Sequence, residues 1–240
     1  MNNTLQSIPL INLSLAFIPA LLTIFILFKW SLNASNALYA ISRMLVQLLL
    51  IGYLLTYIFE SDSATLVIGI LAVMVFASSW IALGTIADKR MQLYKYAFVS
   101  LAVGGGVTLL LTSQGVLALD PWYSAPSMVP IAGMIFANAM NSVSLAAERL
   151  DAEINRQVPF DEARVIAFQS SLIPVINSLF AVGLVSLPGM MTGQILSGVS
   201  PLIAVRYQIM VMCMVFGSAG IATAYFLVLA RPVFQKDTAL

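Results

Sequence analysis

Seven long apolar runs, almost free of charged side chains, dominate this sequence of 240 residues. A helix needs about 20 mostly apolar residues to cross the hydrocarbon core of a membrane. The runs lie at residues 8–28, 41–59, 64–87, 96–114, 127–147, 175–198 and 207–230. We therefore predict an all-α, polytopic membrane protein with about seven transmembrane helices, organised as a single transmembrane domain over residues 1–240.

The composition supports this prediction and excludes several classes of protein. Hydrophobic residues make up 60% of the chain and charged residues only 9%, whereas soluble domains carry about 25% charged residues. The net charge of +1 offers no basic surface for nucleic acid. The chain has no histidine and one cysteine, Cys213, so an internal disulfide is impossible and the commonest metal ligand is missing.

Basic residues predict the orientation of the helices, because cytoplasmic loops carry an excess of lysine and arginine. With the N-terminus outside and the C-terminus inside, only Arg206 falls on the outer side. Ten residues fall on the inner side: Lys29, Arg43, Lys89, Arg90, Lys95, Arg149, Arg156, Arg164, Arg231 and Lys236. Arg43 and Arg206 are expected within a turn of a helix end, where their side chains can reach the membrane interface.

Residues 148–173 form one long helical loop, which this orientation places in the cytoplasm. We expect the fifth helix to run on from the membrane to residue 158, with an apolar stripe of Leu150, Ile154 and Val158 on a charged surface. Glu153 and Arg156 are spaced to form an ion pair on this helix.

A second, short helix is expected over residues 162–172, after Pro159 has ended the first and with Asp161 as its cap. Val165, Phe168 and Leu172 share one face of it. That face suits either of two roles: an amphipathic connector lying on lipid headgroups, or a docking surface for a cytosolic partner.

No chemistry that could supply energy is present in the chain. All ten acidic residues lie in loops or at the ends of runs, whereas proton relays place carboxylates within the membrane. None of the four lysines follows a glycine, so there is no phosphate-binding P-loop. An intramembrane protease would need a Ser/His pair, paired aspartates or a His/Glu zinc site, and none of these can be assembled from the chain. We expect a protein that is not an enzyme, holds no cofactor, and takes any energy from another polypeptide.

Polar side chains in the fifth run are candidates for a substrate path. Asn138 and Asn141 share a helix face with Met134 one turn earlier. A buried amide needs a partner, so this face points either at other helices, with which it forms hydrogen bonds, or at a path for a substrate.

The sixth run is irregular, and we expect it to be a broken or re-entrant helix inside the protein. Pro188, Gly189 and Gly193 form a candidate hinge. Met190, Met191 and Gln194 are candidate substrate contacts, because thioethers can bind soft metals, although methionine also fills cores. Met210, Met212, Met214 and Cys213 in the seventh run point to different helix faces, so we interpret them as packing residues.

Several strings of this sequence resemble the permease family of FetB-type ABC exporters. They are Pro130-Ile131-Ala132-Gly133-Met134 with Asn138-Ala139-Met140, the run from Val182 to Met191 with Gly193, Tyr207 to Val211, Arg43 to Leu48, and Gly52-Tyr53-Leu54. The resemblance covers about residues 35–230. It implies a permease of the bacterial inner membrane, paired as a homodimer, that exports iron or another metal with a separate cytosolic ABC ATPase. Plant relatives are linked to aluminium tolerance, and a sugar-nucleotide substrate has been proposed for them.

The family resemblance also implies a coupling site for the ATPase before the sixth run. The corresponding loop of ABC importers reads Glu-Ala-Ala, with Gly four residues after the second Ala. Glu162 and Ala163 match its start, Arg164 replaces the second Ala, and Phe168 stands where Gly would be. The alternative function is a passive channel or carrier, or a transporter of a polar organic solute, with no ATPase partner.

Overall fold

The computed structural model describes residues 8–237, and side chains as far as Gln235. It confirms the all-α prediction: 83% of the chain is helical, and the described residues form no strand beyond an isolated bridge. Seven helices are long and apolar enough to cross a membrane: Leu10–Lys29, Ala34–Glu60, Ala64–Ala82, Ala87–Val116, Ala125–Asn155, Phe160–Ala181 and Pro201–Leu229. The chain divides into two compact units, Met1–Ser61 and Asp62–Leu240.

The first unit contains α1 (Leu10–Leu15), α2 (Phe17–Lys29) and α3 (Ala34–Glu60). Asn33 caps α3, because its Oδ1 accepts a hydrogen bond of 3.1 Å from the amide of Asn36. The helix therefore begins seven residues before the predicted apolar run. Arg43 lies more than two turns inside α3 rather than within a turn of its end, so that expectation was wrong.

The second unit contains the remaining helices. They are α4 (Ala64–Ala82), α5 (Arg90–Leu110), α6 (Ala125–Asn155), α7 (Phe160–Ala181), α8 (Gly189–Leu196), α9 (Pro201–Leu229) and α10 (Arg231–Asp237). A 3₁₀ turn, Ala87–Lys89, precedes α5, and a π-helical turn, Leu111–Val116, extends it. Helix α6 is central, since it packs against α4, α5, α7 and α9. Arg206 lies five residues into α9, slightly deeper than predicted.

Helices α5 and α9 approach each other to backbone contact at Gly104. A methyl group built at Gly104 would lie 2.7 Å from the amide nitrogen of Ala222. At three other helical glycines the space is larger: a Cβ on Gly133 would meet Met74 at 3.5 Å, and Gly189 and Gly193 have nothing within 4 Å. The close helix crossing therefore lies at Gly104.

Helix α6 ends at Asn155, three residues earlier than predicted, and Pro159 does not end it. Gln157 adopts a left-handed backbone conformation with φ 66°. Its amide donates to Ile154 O (2.9 Å) and the Val158 amide donates to Glu153 O (3.1 Å). These two bonds form a Schellman motif, which satisfies the last carbonyls of the helix.

The short helix expected over 162–172 and the first part of the span expected over 175–198 form one continuous helix, α7, over Phe160–Ala181. Pro159, not Asp161, occupies the cap position, and Asp161 lies in the first turn. Pro174 lies within α7 without ending it. A proline is tolerated inside a membrane helix where neighbouring groups compensate for the missing hydrogen bond.

The predicted break in the sixth run is confirmed at residues 182–188. The expectation that this segment lies inside the protein was wrong for the single chain, because Leu184 is 90% exposed and Val185 is 85% exposed. Gly183 has φ +83°, which a residue with a side chain rarely adopts, and its amide donates to Ser186 O at 2.9 Å. Pro188 then precedes the first residue of α8. The predicted hinge residues therefore differ in position: Pro188 ends the break, whereas Gly189 and Gly193 are helical.

Candidate functional site

A cleft of about 400 Å³ opens between α6, α7 and α9, and we name it the serine cleft. Its walls are mostly small and uncharged. The lining residues are Asn138, Asn141, Ser142, Ser144, Leu145, Ser171, Pro174, Val175, Ser178 and Val215. Four serines and two asparagines are thus brought to one place on helices that have the length and apolarity of membrane spans.

Three of the six polar side chains that line the serine cleft donate a proton to a carbonyl of their own helix. Ser171 Oγ donates to Phe168 O (2.8 Å) and Ser178 Oγ donates to Pro174 O (2.9 Å). The side-chain nitrogen of Asn138 donates to Met134 O at 2.8 Å. Bonds of this kind to a preceding turn are available to short polar side chains in helices. These bonds leave the three side-chain oxygens free to accept. Asn141, Ser142 and Ser144 have no side-chain hydrogen bond among the described residues, so the cleft offers neutral oxygen acceptors together with some donors.

This geometry bears on the two alternatives for Asn138 and Asn141. Asn138 is partly buried and Asn141 is exposed, and both line the serine cleft as the shared helix face predicts. Among the residues that the structure describes, neither amide forms a hydrogen bond to another helix. The substrate-path interpretation stays a prediction, and it now has a cavity to which it applies.

The methionines predicted with these asparagines lie in other clefts. Met134 and Met190 meet in a second cleft of about 420 Å³, whose walls also include Pro130, Tyr207 and Met210. Met191 lines a third cleft. Gln194 on α8 is partly buried, and its Oε1 is enclosed without a hydrogen-bond partner among the described residues. The six predicted path residues therefore do not converge on one cavity.

One end of the second unit is rich in ion pairs, and we name it the charged end; it comprises Lys89, Asp151, Glu153, Asp161 and Arg231. Lys89 Nζ lies 2.8 Å from Asp151 Oδ1, which joins the start of α5 to the end of α6. Asp161 lies 3.6 Å from the guanidinium of Arg231, which joins α7 to α10. Each of these two ion pairs therefore holds the ends of two helices together.

Glu153 is the buried member of the charged end, with only 4% of its surface exposed. It pairs with Arg149 at 2.6 Å and with Arg156 at 3.3 Å, which confirms the predicted Glu153–Arg156 pair. Two partners offset the cost of removing a carboxylate from water.

The apolar stripe of α6 packs within the protein. Leu150 and Ile154 belong to the hydrophobic core, and Val158 packs against it. The stripe therefore covers neither lipid headgroups nor a partner.

The predicted coupling residues lie on the first turns of α7, next to the charged end. Glu162 is exposed, and Arg164 lies 3.4 Å from Asp161. Ala163 is buried in the core and Phe168 packs against it. Val165, 53% exposed, is the largest apolar side chain that this turn presents outward. A partner at this surface would thus contact Glu162 and Val165. Ala163 and Phe168 hold the helix against the core.

The serines of α7 were missed in the sequence. Ser171, Pro174 and Ser178 recur at spacings of three and four, which is one face of a helix. We had divided this stretch between a cytoplasmic helix and a later span, so the repeat was not visible as one stripe. Within the described residues, no group of three or more acidic or cysteine side chains could hold a metal ion.

Comparison with known proteins agrees with this architecture. The model of the family described as "Uncharacterised protein family (UPF0014)" matches residues 10–165 and 157–234. A UPF0014 membrane protein of Synechocystis is 33% identical over 214 residues, which cover 82% of this chain and 83% of the relative. No solved structure matches the chain.

Two further relatives carry names that describe a role. The "Probable iron export permease protein FetB" of Escherichia coli is 33% identical over 233 residues, covering 88% of this chain and 86% of the relative. The "Protein ALUMINUM SENSITIVE 3" of Arabidopsis thaliana is 32% identical over 237 residues, covering 91% and 85%. With the family model matching nearly its whole length, this seven-helix chain belongs to the UPF0014 family of multi-pass membrane proteins.

Proposed function

We propose that this protein is the permease subunit of an ABC transporter that exports iron or another metal ion from the cytosol, driven by a separate ATPase. The observation that carries the proposal is the 33% identity, over 88% of the chain, to a protein named as an iron export permease. The relatives' names support a transport subunit rather than an enzyme. The absence of a P-loop from the sequence agrees with an ATPase on another polypeptide.

The course of α7 supports coupling between such a partner and the serine cleft. This helix begins at the charged end with Asp161 and Glu162 and reaches the cleft with Ser171 and Ser178. At 1.5 Å per residue, the distance from Glu162 to Ser178 along the axis is about 24 Å. Since the helix is unbroken, a displacement of its first turn by an ATPase would move the cleft wall directly.

The serine cleft is the proposed substrate path, with Asn138 and Asn141 as its contacts. Its neutral oxygen acceptors suit a cation that keeps part of its hydration shell, and they also suit a polar organic solute that donates hydrogen bonds. Met134, Met190, Met191 and Gln194 are proposed to border the path where α8 moves about the break at 182–188, with Pro188, Gly189 and Gly193 at its end.

The remaining arrangement follows from the same proposal. The charged end, with the coupling segment 148–173, faces the cytosol of a cell whose inner membrane holds the protein, with the N-terminus outside and the C-terminus inside. ATPase subunits of this superfamily act in pairs, so two copies of this single permease domain form a homodimer.

Reconstitution with the ATPase tests the proposal. The ATPase subunit that co-purifies with the chain is incorporated with it into vesicles, and ATP-dependent movement of Fe²⁺ and a panel of other metals is measured. We expect Glu162→Lys to lower ATP-dependent transport roughly tenfold, the effect of removing one strong interface contact. Asp62→Lys, an exposed acidic residue between α3 and α4, is the matched control and should transport normally.

Three outcomes would each contradict the proposal or one part of it. Transport that proceeds without any ATPase would favour a passive channel or carrier. Full transport by Glu162→Lys would mean that the coupling surface does not lie on the first turn of α7. Movement of an organic solute with no response to metals would keep the permease but refute its proposed metal cargo.

A further inference from the structure

A third cleft, of about 380 Å³, is lined by sulfur-containing residues from two consecutive helices, α8 and α9, and we name it the sulfur cleft. It lies between the end of α7, the break at 182–188, α8 and α9. The lining residues are Leu179, Val182, Gly183, Leu187, Met191, Val205, Gln208, Ile209, Met212 and Cys213. The sequence led us to interpret Met212 and Cys213 as packing residues, but both face this cavity.

The cysteine in the sulfur cleft is available for chemistry. Cys213 is a free thiol and is exposed. Met191 and Met212 are partly buried, so each residue keeps some surface that core packing does not cover. One thiol and two thioethers therefore border one cavity.

A buried polar group without a partner lies in the same wall. Gln208 is 5% exposed, and its Oε1 accepts no hydrogen bond from any described residue. Burying an amide oxygen without a partner costs free energy, and such groups need an explanation. A bound cation is one source of the missing interaction.

The charge balance of the cleft selects the kind of ion that it can hold. Every lining side chain is uncharged, and all except Gln208 are apolar or sulfur-containing. When Cys213 binds a monovalent ion M⁺, the S–H bond breaks, an S–M bond forms and the proton leaves to water, so the complex is neutral. A divalent ion would leave one net positive charge among apolar groups, which is strongly unfavourable.

We infer that the sulfur cleft is a binding site for a soft monovalent metal ion of the Cu⁺ or Ag⁺ type. Cys213 supplies the thiolate, and Met191 and Met212 supply thioethers, the ligands that such ions prefer. The site shares no residue with the serine cleft. Of the residues proposed to border the substrate path it includes only Met191. Binding can be measured on the purified chain without an ATPase, so the inference is tested separately from the proposed transport function.

Silver binding to the purified full-length chain in detergent tests the inference. Titration calorimetry with Ag⁺ should give one ion per chain and release of about one proton, as expected when a thiol becomes a thiolate ligand. X-ray absorption should show more than one sulfur neighbour for silver. Zn²⁺ and Fe²⁺ at equal concentration should not displace it.

Variants separate this site from simple reaction of an exposed thiol. Cys213→Ser should abolish stoichiometric binding, and Met191→Leu with Met212→Leu should weaken it by about 10–100-fold, the range for disturbed metal sites. Met44→Leu and Met91→Leu, exposed methionines elsewhere, are the matched controls and should bind normally. Unchanged affinity in the double methionine variant, a single sulfur neighbour, or retained binding in Cys213→Ser would each overturn the site. Thermal unfolding of every variant establishes that it is folded.

Discussion

Gly104→Ala tests how closely α5 and α9, which both pack against α6, must approach each other. The new methyl group would lie 2.7 Å from the Ala222 nitrogen and 2.8 Å from its Cα. Ordinary contacts begin near 3.4 Å, so α5 and α9 would have to separate by several tenths of an ångström. Both obstructing atoms are backbone, so a change of rotamer cannot relieve the clash. Overpacking of this kind costs about 1–3 kcal/mol.

Gly106→Ala is the matched control on the same helix. Nothing lies within 4 Å of a methyl group at that position, and alanine is the better helix former by up to about 1 kcal/mol. The two variants therefore change the same residue type in the same helix with opposite expected signs. Their free energies of unfolding should differ by roughly 2–4 kcal/mol.

The assay is thermal unfolding in detergent at one fixed scan rate, followed by the loss of monodisperse protein. A difference of 2–4 kcal/mol corresponds to an apparent Tm about 5–15 °C lower for Gly104→Ala than for Gly106→Ala in a chain of this size. Equal midpoints would refute the reasoning, because they would mean that the helices separate at this crossing without cost.

Two further substitutions test the C-terminal end of α6. Gln157→Gly should raise the free energy of unfolding by about 1 kcal/mol, because Gln157 holds a left-handed conformation that glycine adopts without strain; a lowered Tm would contradict the Schellman assignment. Glu153→Gln should lower stability by roughly 2–4 kcal/mol, since it removes the buried carboxylate between Arg149 and Arg156. The exposed neighbour Glu148→Gln is its control and should stay within about 0.5 kcal/mol of wild type.

A transport measurement complements these stability measurements. Asn141→Leu should lower transport about tenfold if the serine cleft carries the cargo, whereas Asn177→Leu, an exposed amide of α7 outside the cleft lining, should not.

Hydropathy predicted the number of membrane-spanning helices correctly. Each span must form its backbone hydrogen bonds internally and carry apolar side chains on its surface, so each one appears as an apolar run. It misplaced the sixth, because Pro174 and the polar residues before it shortened the apolar run. That run was then extended across the break at 182–188. Several helix starts were also set too far inward, since capping residues such as Asn33 lie beyond the apolar stretch.

The candidate site was predictable only where it is local. Asn138 and Asn141 could be placed on one face because their spacing is helical. The pairing of that face with Ser171 and Ser178, and of Met191 with Cys213, depends on how α6, α7, α8 and α9 pack. Such contacts between distant segments leave no periodicity in a single sequence.

The continuity of α7 restricts how this protein can vary in length. One residue inserted between Glu162 and Ser171 would rotate everything after it by about 100° and carry it 1.5 Å along the axis. Ser171 and Ser178 would then turn out of the cavity while Glu162 kept its place. Four inserted residues would restore the angular phase but shift the serines along the axis by about 6 Å. If α7 couples the two ends as proposed, the number of residues between them must be kept, and the helix tolerates substitution far better than insertion or deletion.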